Sequence, residues 1–176
     1  MRNLLFILCF FVLLGNVGCR EHVQPGKSSV DQGSSLEHPN QIRKADEVSK
    51  LKFQALDLVG KREYETAKNI LEDVLEFEND LSLLMLRCML GERTGEDEDH
   101  VQKCYRSVAE GYGEMDTDDP LNEINRISAL LFARAPHAAQ EAESLIKSLK
   151  GTELEELSLM LFKNFDREAY LLTILP

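Results

Sequence analysis

The chain has 176 residues, and 31 acidic against 20 basic side chains leave a formal net charge of −11. That balance excludes the basic face a nucleic-acid binder needs, and it disfavours broad docking onto anionic lipid headgroups. The length accommodates one domain with a genuine core, and the acidity suits either a basic protein partner or simple solubility.

Arg2 opens the chain with a positive charge, and Leu4 to Leu14 follow without a polar interruption. The run is too short for a bilayer-spanning helix, which needs about 20 residues. It fits the apolar region of a signal peptide. Asn16-Val17-Gly18-Cys19 resembles the lipobox of bacterial lipoproteins, over the N-terminal segment alone and with Asn16 where leucine is usual. The resemblance implies a signal peptide over residues 1–18 and diacylglycerol plus an acyl chain (palmitate-like) on Cys19. Arg20, rather than Asp, after that cysteine implies an outer-membrane anchor facing the periplasm. Three acyl chains hold stably where one, at about 0.8 kcal/mol per buried CH₂, binds only marginally. An ordinary secretory signal cut elsewhere and an uncleaved signal anchor are the competing readings.

Residues 19–43 then read as the lipidated cysteine and a flexible linker. The stretch is rich in Ser, Gly, Gln and Pro and has no apolar period, the composition of a disordered tether. It would hold the domain ~25–30 Å from the lipid. His22 and His38 fall within it as solvated residues.

From Lys44 to Pro176 the apolar period is helical. The first predicted helix, 44–59, is expected to stop at Gly60 in a C′ position. The second places Tyr64, Ala67, Ile70, Leu71, Val74 and Leu75 on one stripe. The third, 81–90, is apolar nearly all round and should be buried between neighbours, with Gly91 and Gly95 breaking the chain after it. In the fourth, Val101, Cys104, Tyr105, Val108, Ala109 and Tyr112 face inward behind an acidic start at 96–99 that suits a helix N-terminus.

Asp119-Pro120 reads as N-cap and first residue of a fifth helix, with Leu121, Ile124, Ile127 and Leu131 inward. Pro136 should start a sixth, burying Ala142, Leu145, Ile146 and Leu149 and ending at Gly151. Thr152 and Glu155 form a capping box for a seventh. The apolar tail 169–175 is expected to form a last half-helix over an open end of the core, or else an exposed docking segment.

Connections this short favour antiparallel helical hairpins stacked in order. Tyr64 and Ala67 stand two and five positions after Arg62, and Leu71, Val74 and Asn79 continue the register, with Leu51, Ala55 and Leu58 in the preceding helix. This pattern resembles one unit of a tetratricopeptide repeat, whose period is 34 residues, with Arg62 at the usual turn glycine. A second unit from about 82 loses most signature positions, and a third would place Ala142 where Ala67 falls. The expected fold class is therefore all-α, with antiparallel helical hairpins stacked as a short tetratricopeptide-like superhelix, or alternatively a plain helical bundle. The resemblance implies a concave protein-binding face, because stacked units generate extended surfaces.

Cys88 and Cys104 lie on facing apolar stripes, symmetric about a turn near Glu96. Helix axes 8–10 Å apart leave about 4–5 Å between facing Cα atoms, within the range a disulfide needs. A bond in an oxidising periplasm and two reduced, buried cysteines are both open. No P-loop, dinucleotide fingerprint or hydrolase motif appears. Asp116, Asp118 and Asp119 resemble the start of a calcium loop. Counted from Asp116, however, Leu121 and Ile127 stand where such a loop needs Gly and Glu. His100 and His137 read as solvated residues near helix starts.

No cofactor, metal or catalytic residue is expected. The expected function is a membrane-anchored periplasmic lipoprotein acting as a protein-binding scaffold or adaptor in envelope assembly or secretion, through a protein or peptide partner. The alternative is an immunity or inhibitor lipoprotein that neutralises an envelope-targeting toxin. A cell-wall enzyme or its activator is the least favoured class.

Overall fold

A computed structural model describes residues 39–115 and 119–176. The expected signal peptide, Cys19, most of the linker, Asp116 and Asp118 lie outside the described residues. Among those described there are eight helices and no strand: α1 Pro39–Gly60, α2 Tyr64–Leu75, α3 Leu81–Thr94, α4 Glu98–Gly113, α5 Pro120–Phe132, α6 Ala138–Ser148, α7 Glu155–Phe162 and α8 Arg167–Ile174. The all-α class is correct.

The first helix starts earlier than expected, inside the segment read as linker. Pro39 occupies its first position, where a missing N–H costs nothing and the fixed φ suits a helix. Its end also differs. Gly60 stays helical, and the left-handed residue is Arg62, at φ 64°. The Arg62 amide donates to the Val59 carbonyl at 3.0 Å and the Glu63 amide to Leu58 at 2.9 Å, the paired bonds of a Schellman cap with Arg62 at C′. Gly95 (φ 84°) closes α3 in the same way, with the Glu96 amide on the Gly91 carbonyl, and Arg134 (φ 54°) closes α5, with the Ala135 amide on Leu130. Asn164 (φ 62°) turns the chain between α7 and α8.

A non-glycine residue held left-handed costs roughly 1–2 kcal/mol. Arg62 is exposed, so Arg62→Gly removes strain without opening the core. Part of the gain is returned through the added freedom of glycine in the unfolded chain. The substitution should raise stability by about 0.5–1 kcal/mol, read as a higher urea midpoint at unchanged slope.

Gly91 does not break α3; it lies buried within it. A Cβ there would sit 2.4 Å from Glu96 Oε2, so the glycine makes room for a side chain and not for a turn. Pro136 falls in the turn ahead of α6, which starts two residues later at Ala138. At α7 the capping box is displaced. Glu155 reaches back to the Gly151 amide at 2.7 Å, and Thr152 Oγ1 accepts from the Leu154 amide at 3.2 Å. Aspartates cap four other helices. Asp80 accepts from the Ser82 and Leu83 amides, Asp97 from His100, Asp119 from Leu121 and Asp166 from Ala169. Each satisfies amide donors that the first helical turn leaves unpaired.

Each helix from α1 to α7 packs along its neighbours in sequence, and α5 also meets α7. The larger core joins α1–α5 and α8 through residues such as Ala67, Leu71, Leu86, Leu90, Tyr105 and Phe132. A smaller one joins α5–α7 around Ile124, Ile127, Leu145 and Phe162. The fifth helix serves both, Ala129 and Phe132 facing the first core and Ile124 and Ile127 the second. The third is covered on nearly every side, with Leu83, Leu86, Cys88, Met89 and Leu90 all buried.

Candidate interaction site

Arg167, at the start of α8, reaches across to α3 and α5. Its Nη1 and Nη2 pair with Glu92 at 2.5 and 2.8 Å, and its Nε donates to the Phe132 carbonyl at 2.9 Å. The guanidinium also lies over the Tyr105 and Phe132 rings, 5.9 and 5.7 Å from their centroids. Tyr105 Oη donates to the same Glu92 carboxylate at 2.9 Å. Burial, then the Glu92 charge and hydrogen bond, push the Tyr105 pKa well above its ordinary value. The phenol therefore stays protonated and remains a donor.

The far end of α8 is held by different chemistry. Arg93 Nε donates to the Leu175 carbonyl at 2.9 Å and Tyr64 Oη to the Pro176 carbonyl at 2.6 Å. Arg93 lies 5.8 Å from the centre of the Tyr64 ring. Between these two clasps Leu171 and Leu175 are buried. The apolar tail thus covers the core, and the docking-segment alternative for its inward face does not hold. Leu172, on the outer side, is 46% exposed. Beside it an open cleft of about 550 Å³ is lined by Arg93, Arg134, Asp166, Arg167, Leu171 and Leu172, among others.

A second polar cluster ties α2 to α3 and to the turn before α4. Lys68, buried, pairs with Glu65 at 3.0 Å and Glu96 at 2.9 Å. Arg87 bridges Glu72 at 2.5 Å and Glu96 at 2.9 Å. Burial works against the charged Glu96, but Lys68 and Arg87 outweigh it and hold its carboxyl below the usual carboxylate range. Every charge in this cluster has an opposite partner, which makes it a staple between helices.

Cys88 and Cys104 are bonded beside that staple, with Cα atoms 5.7 Å apart, and Arg87 Nη1 lies 3.9 Å from Cys104 Sγ. Asp119 is a helix cap and His137 precedes α6 at its N-cap position. Among the described residues no group of three or more His, Cys, Asp or Glu side chains is placed to hold a metal ion. None of the described helices is long and apolar enough to cross a membrane.

The Arg167–Glu92 clasp and the Lys68–Glu96–Arg87 staple were not anticipated from sequence. A signal for the first exists: Arg167 and Leu171 stand four residues apart, which places them on one helical face, and Leu175 follows at the C-cap. Comparison with protein-family models, with curated proteins and with solved structures gave no match.

Proposed function

We propose that this chain is a lipid-anchored protein of the bacterial envelope whose helical hairpins stack as a short tetratricopeptide-like superhelix. It works without catalysis, as a protein-binding scaffold or adaptor in envelope assembly or secretion. The observation that carries the reading is the recurrence of one device. Arg62, Gly95, Arg134, Gly151 and Asn164 each take a left-handed conformation between one helix and the next, and helices pack mainly on their chain neighbours. Repeated helical hairpins of this kind serve recognition through surface rather than through a reactive pocket. The lipobox-like Cys19 supports the anchor, and Arg20 the outer membrane.

The test uses the full chain in bacterial cells. A photo-crosslinking residue at Phe53 or Leu172, both exposed, should yield a discrete adduct with another envelope protein. Cys19→Ala should release the mature protein from the membrane fraction. Absence of any discrete adduct would remove the scaffold reading, and a Cys19→Ala protein still wholly membrane-bound would remove the thioether anchor. The net charge of −11 favours one second reading, inhibition of a basic toxin, which an adduct of that kind would select.

A further inference from the structure

Among the eight described helices, α8 alone runs closely alongside no other. It is fastened by side chains. Arg167 sits on Glu92 and the Phe132 carbonyl, Leu171 and Leu175 fill the core edge, and Arg93 and Tyr64 hold the last two carbonyls. A four-residue connection, Lys163 to Asp166, joins it to α7 and contains the left-handed Asn164.

We propose that α8 is a built-in occupant of the partner site, and that the surface beneath it accepts an amphipathic helix from a partner protein presenting Arg, Leu and Leu at successive four-residue steps. This deepens the scaffold reading and rests on it. The chemistry beneath α8 sets the selection. Glu92 is mostly shielded from water and receives a tyrosine hydroxyl and a guanidinium. An occupant without an arginine would leave that carboxylate half-satisfied, which is costly away from water. Lysine would lose the bidentate fork and the stacking on Tyr105 and Phe132. The first leucine site lies one turn further along the same helical face, and the second, at Leu175, lies at the C-cap just past the helix end. The cleft beside α8, with Leu172 exposed at its wall, gives an incoming helix a place to engage before α8 leaves.

Tethered in cis, α8 competes at an effective concentration on the order of millimolar. A free helix therefore sees only the fraction of molecules whose site is open, and its apparent affinity falls by that fraction. The probe is a fluorescein-labelled peptide spanning residues 163–176, added to the full chain with and without Arg167→Ala. The Arg167→Ala chain should bind it at least ten times more tightly than the parent. The same peptide with its arginine replaced by alanine should lose that binding.

Hydrogen exchange on the unaltered chain is the second measurement. Amides of α8 should exchange on the order of a hundred times faster than those of α3, as a separately opening unit. Equal peptide affinity for the two chains, with exchange showing α8 open in Arg167→Ala, would overturn the proposal. So would α8 amides as well protected as α3, a result that stands even where Arg167→Ala does not fold. A wild-type dimer that exchanges α8 between copies would also overturn it, assigning the site to self-association. The crosslinking test of the scaffold does not depend on α8 opening, so either idea can fail alone.

Discussion

Phe132→Ala should destabilise the domain by about 3–5 kcal/mol, the range for truncating a fully buried aromatic ring. The ring is 1% exposed and meets three others, with centroids 5.2 Å from Tyr105, 5.6 Å from Phe165 and 5.5 Å from Tyr170. It also lies under the Arg167 guanidinium. Removing it opens a cavity where the larger core meets α8, and the surrounding helices can collapse into that space only in part. The loss should therefore appear in two stages. The α8 amides should lose exchange protection first, and the global urea transition should then move to lower concentration. The chain has no tryptophan and four tyrosines, so the part of the aromatic circular dichroism that Tyr105 and Tyr170 contribute should fall with this cluster. Phe53→Ala is the control: Phe53 is 76% exposed, and its truncation should change stability by no more than about 0.5 kcal/mol. A Phe132→Ala loss as small as the control's would mean that the four rings do not form one packed unit.

Helical class and some helix starts, those at Leu81 and Pro120 among them, were legible because they rest on local chemistry. The stripe Ala67, Leu71, Val74 and the pair Asp119-Pro120 each state their role within a few residues. Turns were less legible, and the reason is energetic. Gly60 and Gly91 were natural stops on propensity, yet the left-handed residue closing α1 is Arg62 and α3 runs through Gly91 to close at Gly95. A left-handed arginine costs only roughly 1–2 kcal/mol, less than misaligning two helices that bury several apolar side chains. Packing therefore chose the turn position and propensity yielded. The same logic moved the α6 start past Pro136.

The candidate site was hidden for another reason. Glu92, Arg93, Tyr64 and Arg167 are ordinary residues on ordinary helices. They converge because the chain folds back, bringing Arg167 to a residue 75 positions earlier and Pro176 to one 112 positions earlier. No window of local sequence contains that meeting. The tail could be read as apolar and inward-facing, but the partner of its arginine could not. Cys88 and Cys104 stand between these cases, since a hairpin turn midway between them brings their Cα atoms to 5.7 Å.

Reduction of that cystine should lower stability by about 3 kcal/mol, the chain-entropy value for a closed loop near 15 residues; the separation here is 16. For a domain of this size the melting temperature should fall by roughly 10 °C. The same shift should follow from replacing both Cys88 and Cys104 with alanine, which leaves no thiol within residues 39–176. Cys88 is fully buried and Cys104 half-buried, so a reductant must approach through Cys104, and reduction should be slow in the folded state. Alkylation followed by mass measurement should label neither residue until reductant is added, in denaturant as well as in the folded state. A free thiol at Cys88 or Cys104 in the untreated protein, or an unchanged melting temperature, would remove the bond from the account of stability. The reduced chain should nonetheless keep its helical circular dichroism. Arg87 and Lys68 still bind Glu96, and Leu86, Leu90, Val101 and Tyr105 still fill the surrounding core. Those contacts hold α3 and α4 in place without the covalent link, and the bond acts chiefly by narrowing the unfolded ensemble.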